Sequence, residues 1–218
     1  MILQGLVTGM FQENCFIAGC DRSREALVVD PGDDLEHILA TLERHQLTVK
    51  LIVCTHTHVD HIGAVQPLRD ATQAPLAMHR DAFAAADDQS SLLAYMTGQP
   101  PAPITRPEQL IDGGDELAIG DLRFQVLYCP GHAPGHLCFY GEGIVFTGDV
   151  LFQMGIGRFD LPGGDGRVLL QSIRDKLLVL PDDTLVLPGH GPTSTIGEEK
   201  QHNPFILNPR AMMGISLD

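Results

Sequence analysis

The sequence predicts an α+β fold in which β-sheets pack on each other and helices cover their outer faces. Each half of the chain has several short apolar runs typical of strands, followed by a helical pattern, without strict alternation of strand and helix. Of the 218 residues, 44% are hydrophobic and 19% are charged, so the chain can form a sizeable core. We expect one domain that spans residues 1–218.

The first half of the chain combines four predicted strands with three predicted helices. Short apolar, β-branched runs predict strands at Met1–Val7, Cys15–Ala18, Ala26–Val29 and Leu51–Cys54. Helices are predicted over Leu35–Gln46, Gly63–Thr72 and Arg80–Ala86. The stretch Ser90–Pro107 carries four prolines and predicts a surface loop or a lid over a site.

The second half repeats this plan. Strands are predicted at Leu117–Ile119, Arg123–Tyr128, Leu137–Tyr140, Ile144–Phe146 and Thr184–Leu187, and one helix is predicted over Gly163–Lys176. The chain has neither a G-x-G-x-x-G nor a G-x-x-x-x-G-K-[ST] pattern, so nothing in it supports a nucleotide-phosphate loop.

Charge and cysteine content indicate which partners and which cell compartment to expect. The chain has 28 acidic and 14 basic residues and a net charge of −14, which argues against nucleic-acid or anionic-membrane partners. No signal peptide is visible, and no apolar run approaches the roughly 20 residues of a membrane span. The five cysteines form no C-x-x-C pair and are expected to be buried, reduced thiols. We therefore expect a cytoplasmic protein, a monomer or small homo-oligomer, with a small-molecule substrate.

The most informative segment follows the predicted strand Leu51–Cys54. It contains His56, His58, Asp60 and His61, four ligand-type side chains within six positions. An extended backbone turns the imidazoles of His56 and His58 to one side. Because Asp60 and His61 are adjacent, their side chains point in different directions, and this one segment could supply two metal ions.

Three later segments share a plan of apolar strand, glycine and ligand-type residue. They are Pro130-Gly131-His132, Thr147-Gly148-Asp149 and Pro188-Gly189-His190. Strand ends place such residues on one rim of a sheet sandwich, and the glycines let the backbone turn sharply. The predicted donors are His56, His58, Asp60, His61, His132, Asp149 and His190. Seven N/O donors without sulfur suit two divalent ions of zinc, iron or manganese, with Asp149 as the natural bridge.

The order of these motifs resembles that of the metallo-β-lactamase-fold hydrolases, over nearly the whole chain. The resemblance implies a four-layer αβ/βα sandwich, with two mixed sheets face to face and the site at one edge. It also implies that His56, His58 and His132 bind one ion. Asp60, His61 and His190 would then bind the other, with Asp149 bridging the two.

Within that superfamily, the chain is most similar to the glyoxalase II branch, and to short bacterial hydroxyacylglutathione hydrolases in particular. The similarity lies in Gly135-His136, Thr147–Phe152, Gly157–Asp160 and Pro162–Asp165. It implies hydrolysis of S-lactoylglutathione or a related hydroxyacyl thioester by a metal-bridging hydroxide, with Asp60 and Asp149 as catalytic residues. Because 28 residues follow His190, we expect no helical C-terminal domain of the kind that contacts glutathione in longer glyoxalase II enzymes.

Several alternatives stay open. A branch with similar motifs consists of mononuclear iron dioxygenases that act on glutathione persulfide, and a lactonase or a non-catalytic, metal-stabilised binding module would also fit. Arg158 either orients a substrate carboxylate or clamps its own loop through Asp160, and the clamp is favoured. Lys200 could attract an anionic substrate, and His136 is either structural or a support for a ligand.

Overall fold

The computed structural model describes residues 1–86 and 103–214, which form two six-stranded sheets. The first sheet consists of β1 (Ile2–Thr8), β2 (Glu13–Gly19), β3 (Glu25–Val29), β4 (Thr48–Val53), β5 (Leu76–Met78) and β6 (Gln109–Leu110). These strands lie side by side in chain order. The first three pair antiparallel and the pairs from β3 to β6 are parallel, so the sheet is mixed.

The second sheet is also mixed. It consists of β7 (Glu116–Ile119), β8 (Leu122–Tyr128), β9 (Leu137–Gly141), β10 (Ile144–Gly148), β13 (Leu185–Pro188) and β14 (Ser194–Thr195). Their order is β14-β13-β10-β9-β8-β7, and only β10 and β13 pair parallel. A separate hairpin follows β10 and is made of β11 (Leu151–Phe152) and β12 (Gly155–Ile156).

The helices are short; five of the described ones lie between strands in sequence, and three follow the last strand. They are α1 (Leu35–Arg44), α2 (Val59–Ile62), α3 (Val65–Thr72), α4 (residues 80–86), α5 (Gly166–Ser172), α6 (Ile196–His202), α7 (Pro204–Leu207) and α8 (Pro209–Met213). A π-helical turn over Ile173–Leu177 continues α5. No helix within the described ranges is long and apolar enough to cross a membrane.

Three apolar clusters show how the layers stack. The central cluster joins the facing sides of the two sheets, and the rings of Phe16 and Phe146 meet there with centroids 5.6 Å apart. A second cluster packs Ile38 and Leu68, from α1 and α3, on the outer face of the first sheet. A third packs Leu169 of α5 and Ile196 of α6 against the second sheet. The predicted sandwich with helices outside is therefore confirmed.

The element bounds differ from the predicted ones where polar side chains cap a helix. The helix predicted from Gly163 begins at Gly166, because the Asp165 carboxylate accepts hydrogen bonds from the backbone N–H groups of Arg167 and Val168. Sequence reasoning missed α6, although Thr195 and Glu198 form the capping box that a T-x-x-E pattern indicates. Most of the predicted loop Ser90–Pro107 lies outside the described residues, and residues 103–107 have no regular secondary structure.

The five cysteines are all buried and none forms a disulfide, as their spacing predicts. Cys15 and Cys54 lie in the apolar cluster outside the first sheet, whereas Cys129 and Cys138 lie outside the second. They act as small apolar side chains in the core.

Candidate metal centre

Four strand ends meet at one rim of the sandwich. The loop after β4 carries His56 and His58, and the short helix α2 that follows it carries Asp60 and His61. The loop between β8 and β9 carries His132, whereas Asp149 and His190 follow β10 and β13. Because β10 and β13 are parallel neighbours, their carboxyl ends reach the same edge. All seven predicted donors are thereby brought to one rim.

Three imidazoles, here called the imidazole group, converge on one point: His56, His58 and His132. His56 Nε2 lies 3.1 Å from His58 Nδ1 and 3.3 Å from His132 Nε2, and the latter lies 2.9 Å from His58 Nδ1. Three nitrogens at 2.0–2.1 Å from one tetrahedral ion are about 3.3 Å apart. The imidazole group could therefore hold one metal ion with little adjustment.

A second set, here called the mixed group, consists of Asp60, His61 and His190. Helix α2 begins directly after His58, and this turn separates Asp60 and His61 from the imidazole group. Asp60 Oδ2 lies 3.0 Å from His190 Nε2 and 3.9 Å from His61 Nε2. These atoms also lie close enough together to bind one cation.

Asp149 lies between the two groups. One of its oxygens, Oδ1, is 3.4 Å from His61 Nε2, and the other, Oδ2, is 3.6 Å from both His132 Nε2 and His190 Nε2. The carboxylate thus faces a nitrogen of the imidazole group and two nitrogens of the mixed group. A position between two cation sites is what a bridging ligand requires.

Two buried atoms at the centre have no hydrogen-bond partner. They are His61 Nε2 and Asp149 Oδ1, and both point toward the space between the groups. A buried polar atom without a partner costs about 1–3 kcal/mol, so such atoms are rare in folded proteins. Both atoms are good metal donors, and they lie 3.4 Å from each other without forming a hydrogen bond, which indicates that the site suits a cation.

Asp30 orients ligands of both groups, a role that the sequence analysis did not assign to it. Asp30 Oδ2 accepts hydrogen bonds from Thr55 Oγ1 at 2.6 Å and from His61 Nδ1 at 3.0 Å. Thr55 Oγ1 in turn lies 3.0 Å from His56 Nδ1. Thr55 and His61 lie 25 and 31 positions further along the chain, so no local sequence pattern indicates this role of Asp30.

Other groups hold the remaining rings. The backbone carbonyl of Arg158 accepts from His132 Nδ1 at 2.7 Å. His136 is fully buried, stacks on His56 with ring centroids 4.8 Å apart, and accepts at Nε2 from the backbone N–H of Asp149. Such partners fix ring orientation around metal sites. The sequence left two roles open for His136, a structural one and support of a metal ligand, and this geometry favours support of a ligand.

The electrostatics of the two groups differ. Burial lowers the pKa of His56 well below its ordinary value and lowers the pKa of His58 to about 4, and neighbouring imidazoles add to both shifts. Burial likewise lowers the pKa of His132. The imidazole group is therefore neutral at pH 7 and keeps its nitrogen lone pairs free for a cation.

In the mixed group, charge pairs outweigh burial. Burial disfavours the charged form of His61, yet the nearby carboxylates of Asp149 and Asp30 hold its pKa well above the ordinary value. Burial would raise the pKa of Asp149, but His61, His132 and His190 lower it. The pKa of Asp60 is lowered as well, so both carboxylates are charged at neutral pH, and a cation that binds there takes the place of the proton on His61.

The glycines at the rim serve two purposes. Gly131 and Gly148 adopt positive φ angles of 121° and 47°, as the predicted sharp turns require. Gly189 does not have a positive φ. A Cβ there would overlap Asp149 Oδ1 and lie 2.6 Å from His61 Cε1, so glycine is needed because the backbone passes close to the ligands.

A cavity of about 430 Å³ opens beside the two groups. Its described lining combines ligand-type residues, apolar side chains and one cation: His58, Asp60, His132, Asp149, His190, Phe11, Val59, Phe152, Leu161 and Arg158. Arg158 is 60% exposed and forms a two-pronged pair with Asp160, with Nε–Oδ1 2.8 Å and Nη2–Oδ2 2.9 Å. The structure thus shows the loop clamp and also places Arg158 at the cavity.

Lys200 does not line this cavity. Its ammonium group lies 2.5 Å from Asp182 Oδ1 and 3.3 Å from the Leu180 carbonyl oxygen. A substrate contact by Lys200 stays a prediction that this pairing does not favour, because the charge is already balanced.

Fold and site together define a metal-dependent hydrolase. The family model described as the metallo-beta-lactamase superfamily matches residues 8–190. The chain belongs to the metallo-beta-lactamase superfamily. Among curated proteins, it is 37% identical to "Hydroxyacylglutathione hydrolase GloC" of Haemophilus influenzae, over 90% of this chain and 93% of the relative.

Several solved structures are similar to this fold over most of the chain. The crystal structure of the BLEG-1 B3 metallo-beta-lactamase has a TM-score of 0.83 and 39% identity, over 94% of this chain and 99% of that one. A di-iron-bound form of TTHA1623 has a TM-score of 0.83 and 37% identity, over 93% and 99%. ETHE1 from Myxococcus xanthus has a TM-score of 0.81 and 31% identity, over 94% and 84%.

Proposed function

We propose that this chain is a cytoplasmic thioester hydrolase of the glyoxalase II type that acts on S-lactoylglutathione or a related hydroxyacyl thioester. The observation that carries the proposal is the position of Asp149 between two groups of metal donors that open onto one cavity. The similarity to the Haemophilus influenzae hydrolase supports this choice of substrate class.

The donor set fits two divalent ions. His56, His58 and His132 would hold one ion, Asp60, His61 and His190 would hold the other, and Asp149 would contact both. Zinc is the metal we propose first, and iron or manganese suits the same nitrogen and oxygen donors. When bound, the two ions supply a hydroxide nucleophile at neutral pH and polarise the carbonyl of the substrate.

The chain's own residues prepare the site for this chemistry. Asp30 and the Arg158 carbonyl fix the rings of His61 and His132, and the Nε2 atoms of both rings lie beside the Asp149 carboxylate. Asp60 Oδ2, beside His190 Nε2, is an acceptor at the cavity wall and could take a proton from an attacking water.

The lining of the cavity favours a substrate that has a good leaving group. Apart from the donor set and the Asp160-paired Arg158, its described residues are the apolar Phe11, Val59, Phe152 and Leu161. None of these side chains could protonate a departing amine. A thiolate leaves without protonation, so a thioester needs no separate general acid, whereas an amide would.

The test is thiol release from S-lactoylglutathione by the chain loaded with zinc. We expect activity in the parent chain and a loss of at least 100-fold in Asp149→Asn, because the shared carboxylate is removed. Asp182→Asn is the matched control, since Asp182 pairs with Lys200 away from the rim, and it should keep parent activity. A fully loaded parent chain without thiol release would refute the proposal.

The iron dioxygenase is the second candidate, and similarity to ETHE1 is consistent with it. The presence of two donor groups rather than one favours the hydrolase. One iron per chain with oxygen uptake on a persulfide would identify the dioxygenase instead. The third candidate is a lactonase. Hydrolysis of a lactone without hydrolysis of the thioester, with both assayed in parallel, would identify it.

A further inference from the structure

Glu13 is a buried carboxyl group for which the proposed reaction provides no role. Its side chain is 0% exposed, and it lies at the start of β2. Oε2 accepts a hydrogen bond from Thr8 Oγ1 at 2.8 Å, whereas Oε1 has no hydrogen-bond partner. A buried carboxyl oxygen without a partner is costly and calls for a structural reason.

The carboxyl of Glu13 stands behind one member of the mixed group. Glu13 Oε1 lies 3.9 Å from His61 Nδ1, on the side of the ring where Asp30 Oδ2 already accepts a hydrogen bond. Gly32 separates Glu13 from the backbone of Asp60. A Cβ at Gly32 would lie 2.7 Å from Glu13 Oε2 and would overlap the carbonyl oxygen of Asp60.

The backbone at Glu13 contacts a second member of the same group. Glu13 forms an isolated antiparallel bridge with His190, and the next residue, Asn14, donates its backbone N–H to the Gly189 carbonyl at 2.7 Å. The Asn14 side chain also donates to the carbonyls of Pro188 and Gly191, at 2.9 Å each. The loop that carries His190 is therefore fastened to β2 on both sides of that histidine.

We propose that Glu13 is a positioning residue for the mixed group, in which its carboxyl supports His61 while its backbone holds His190. His61 comes from the first sheet's loops and His190 from the second sheet's, so a ligand pair across two sheets needs a common support. Glu13 reaches both and, unlike Asp60 and Asp149, is not itself one of the proposed metal donors. This inference rests on the two-ion centre of the proposed function.

The test measures binding of each ion instead of activity. Chelator-stripped parent, Glu13→Leu and Glu13→Gln are titrated with Zn²⁺ by calorimetry, and bound zinc is counted by elemental analysis. Glu13→Leu should bind the second ion at least tenfold more weakly, since support groups of metal ligands contribute about 10–100-fold to affinity. Binding of the first ion, at the imidazole group, should stay within threefold.

Glu13→Gln serves as the rescue variant. Its amide nitrogen can donate to Thr8 Oγ1, which is able to accept, so an oxygen stays beside His61. Both affinities should then lie within threefold of the parent. Glu199→Leu is the matched control, because Glu199 is a buried glutamate, 1% exposed, that accepts from Asn203 and Met154 and makes no contact with the mixed group. It should bind both ions as the parent does.

Four results would overturn the assignment. They are unchanged binding of both ions in Glu13→Leu, equal weakening of both ions in that variant, failure of Glu13→Gln to restore the second ion, and the same loss in Glu199→Leu. A parent chain that binds fewer than two ions would instead overturn the two-ion centre itself. The titration of the parent chain therefore distinguishes failure of the Glu13 assignment from failure of the proposed two-ion centre.

Discussion

Asp30 Oδ2 lies 3.0 Å from His61 Nδ1 and accepts a second hydrogen bond, from Thr55 Oγ1, at 2.6 Å. Because Thr55 Oγ1 is 3.0 Å from His56 Nδ1, this one carboxylate oxygen is linked to one ring of each donor group. Asp30 Oδ1 accepts from the backbone N–H of Thr55 at 2.6 Å. A single buried residue thus sets the orientation of ligands for both proposed ions.

Asp30→Asn should weaken zinc binding at the mixed group by about 10–100-fold, because the amide is a poorer acceptor for His61 Nδ1–H. Asparagine is the suitable replacement, since Asp30 has a φ of 50° and asparagine tolerates this region. Asp34→Asn is the control, with the same φ of 50° at an exposed position. Calorimetric titration checks the affinities, and parent-like binding in Asp30→Asn would contradict the expected role.

Gly189→Ala should abolish binding of the second ion, because the new methyl group meets Asp149 Oδ1 and lies 2.6 Å from His61 Cε1. The control is Gly155→Ala, where a Cβ has no neighbour nearer than 3.7 Å. Elemental analysis of both variants after loading gives the number of ions per chain. Two ions in Gly189→Ala would show that the rim loop can move aside.

Arg158→Gln should raise KM for an anionic thioester about tenfold and leave kcat within twofold, if the guanidinium contacts a substrate carboxylate. Arg22→Gln is the control, because Arg22 forms a similar exposed pair with Asp121 away from the rim. Steady-state kinetics on S-lactoylglutathione give both constants. An unchanged KM would show that Arg158 pairs with Asp160 and does not contact the substrate.

The metal-free chain should lose stability as the pH falls from 6.5 to 4.5. Four imidazoles have a pKa lowered first by burial: His56, His58, His132 and His136. In this range they take up protons in the unfolded chain but much less in the folded one, so acid favours unfolding. Three groups with a raised pKa act in the opposite direction: Glu13, whose pKa burial raises to about 9, and His61 and His190, whose pKa values nearby carboxylates raise. The two histidines oppose the loss only weakly, because in this window they are mostly protonated in the unfolded chain as well.

The expected loss is at least about 1 kcal/mol per pH unit in this window. Denaturant unfolding of chelator-stripped protein at pH 6.5, 5.5 and 4.5 measures it. His58→Gln should show a shallower slope, because the pKa of His58 is lowered to about 4 and its proton uptake on unfolding is removed. His202→Gln, at an exposed position at the end of α6, is the control. A flat profile in the parent would show that these imidazoles are not held neutral.

Several features could be predicted because they are local. Strand runs such as Ile144–Phe146 and the spacing of His56 and His58 depend on neighbouring residues only, and the structure places them as expected. The helix α6 could also have been found from its capping box. Asp30 and Glu13 could not be recognised as supports, because their contacts lie 25 and 48 positions along the chain, at Thr55 and His61.

The sequence by itself determined which donors exist and that they follow strands, since ligand chemistry and strand periodicity are short-range properties of the chain. Only the tertiary structure decided which donors meet. His56 reaches His132, 76 positions away, because the packing of Phe16 against Phe146 and its neighbours brings the two sheets together at one rim. The same packing buries Asp149 between the groups, where burial and nearby imidazoles give its carboxylate a role that no local pattern specifies.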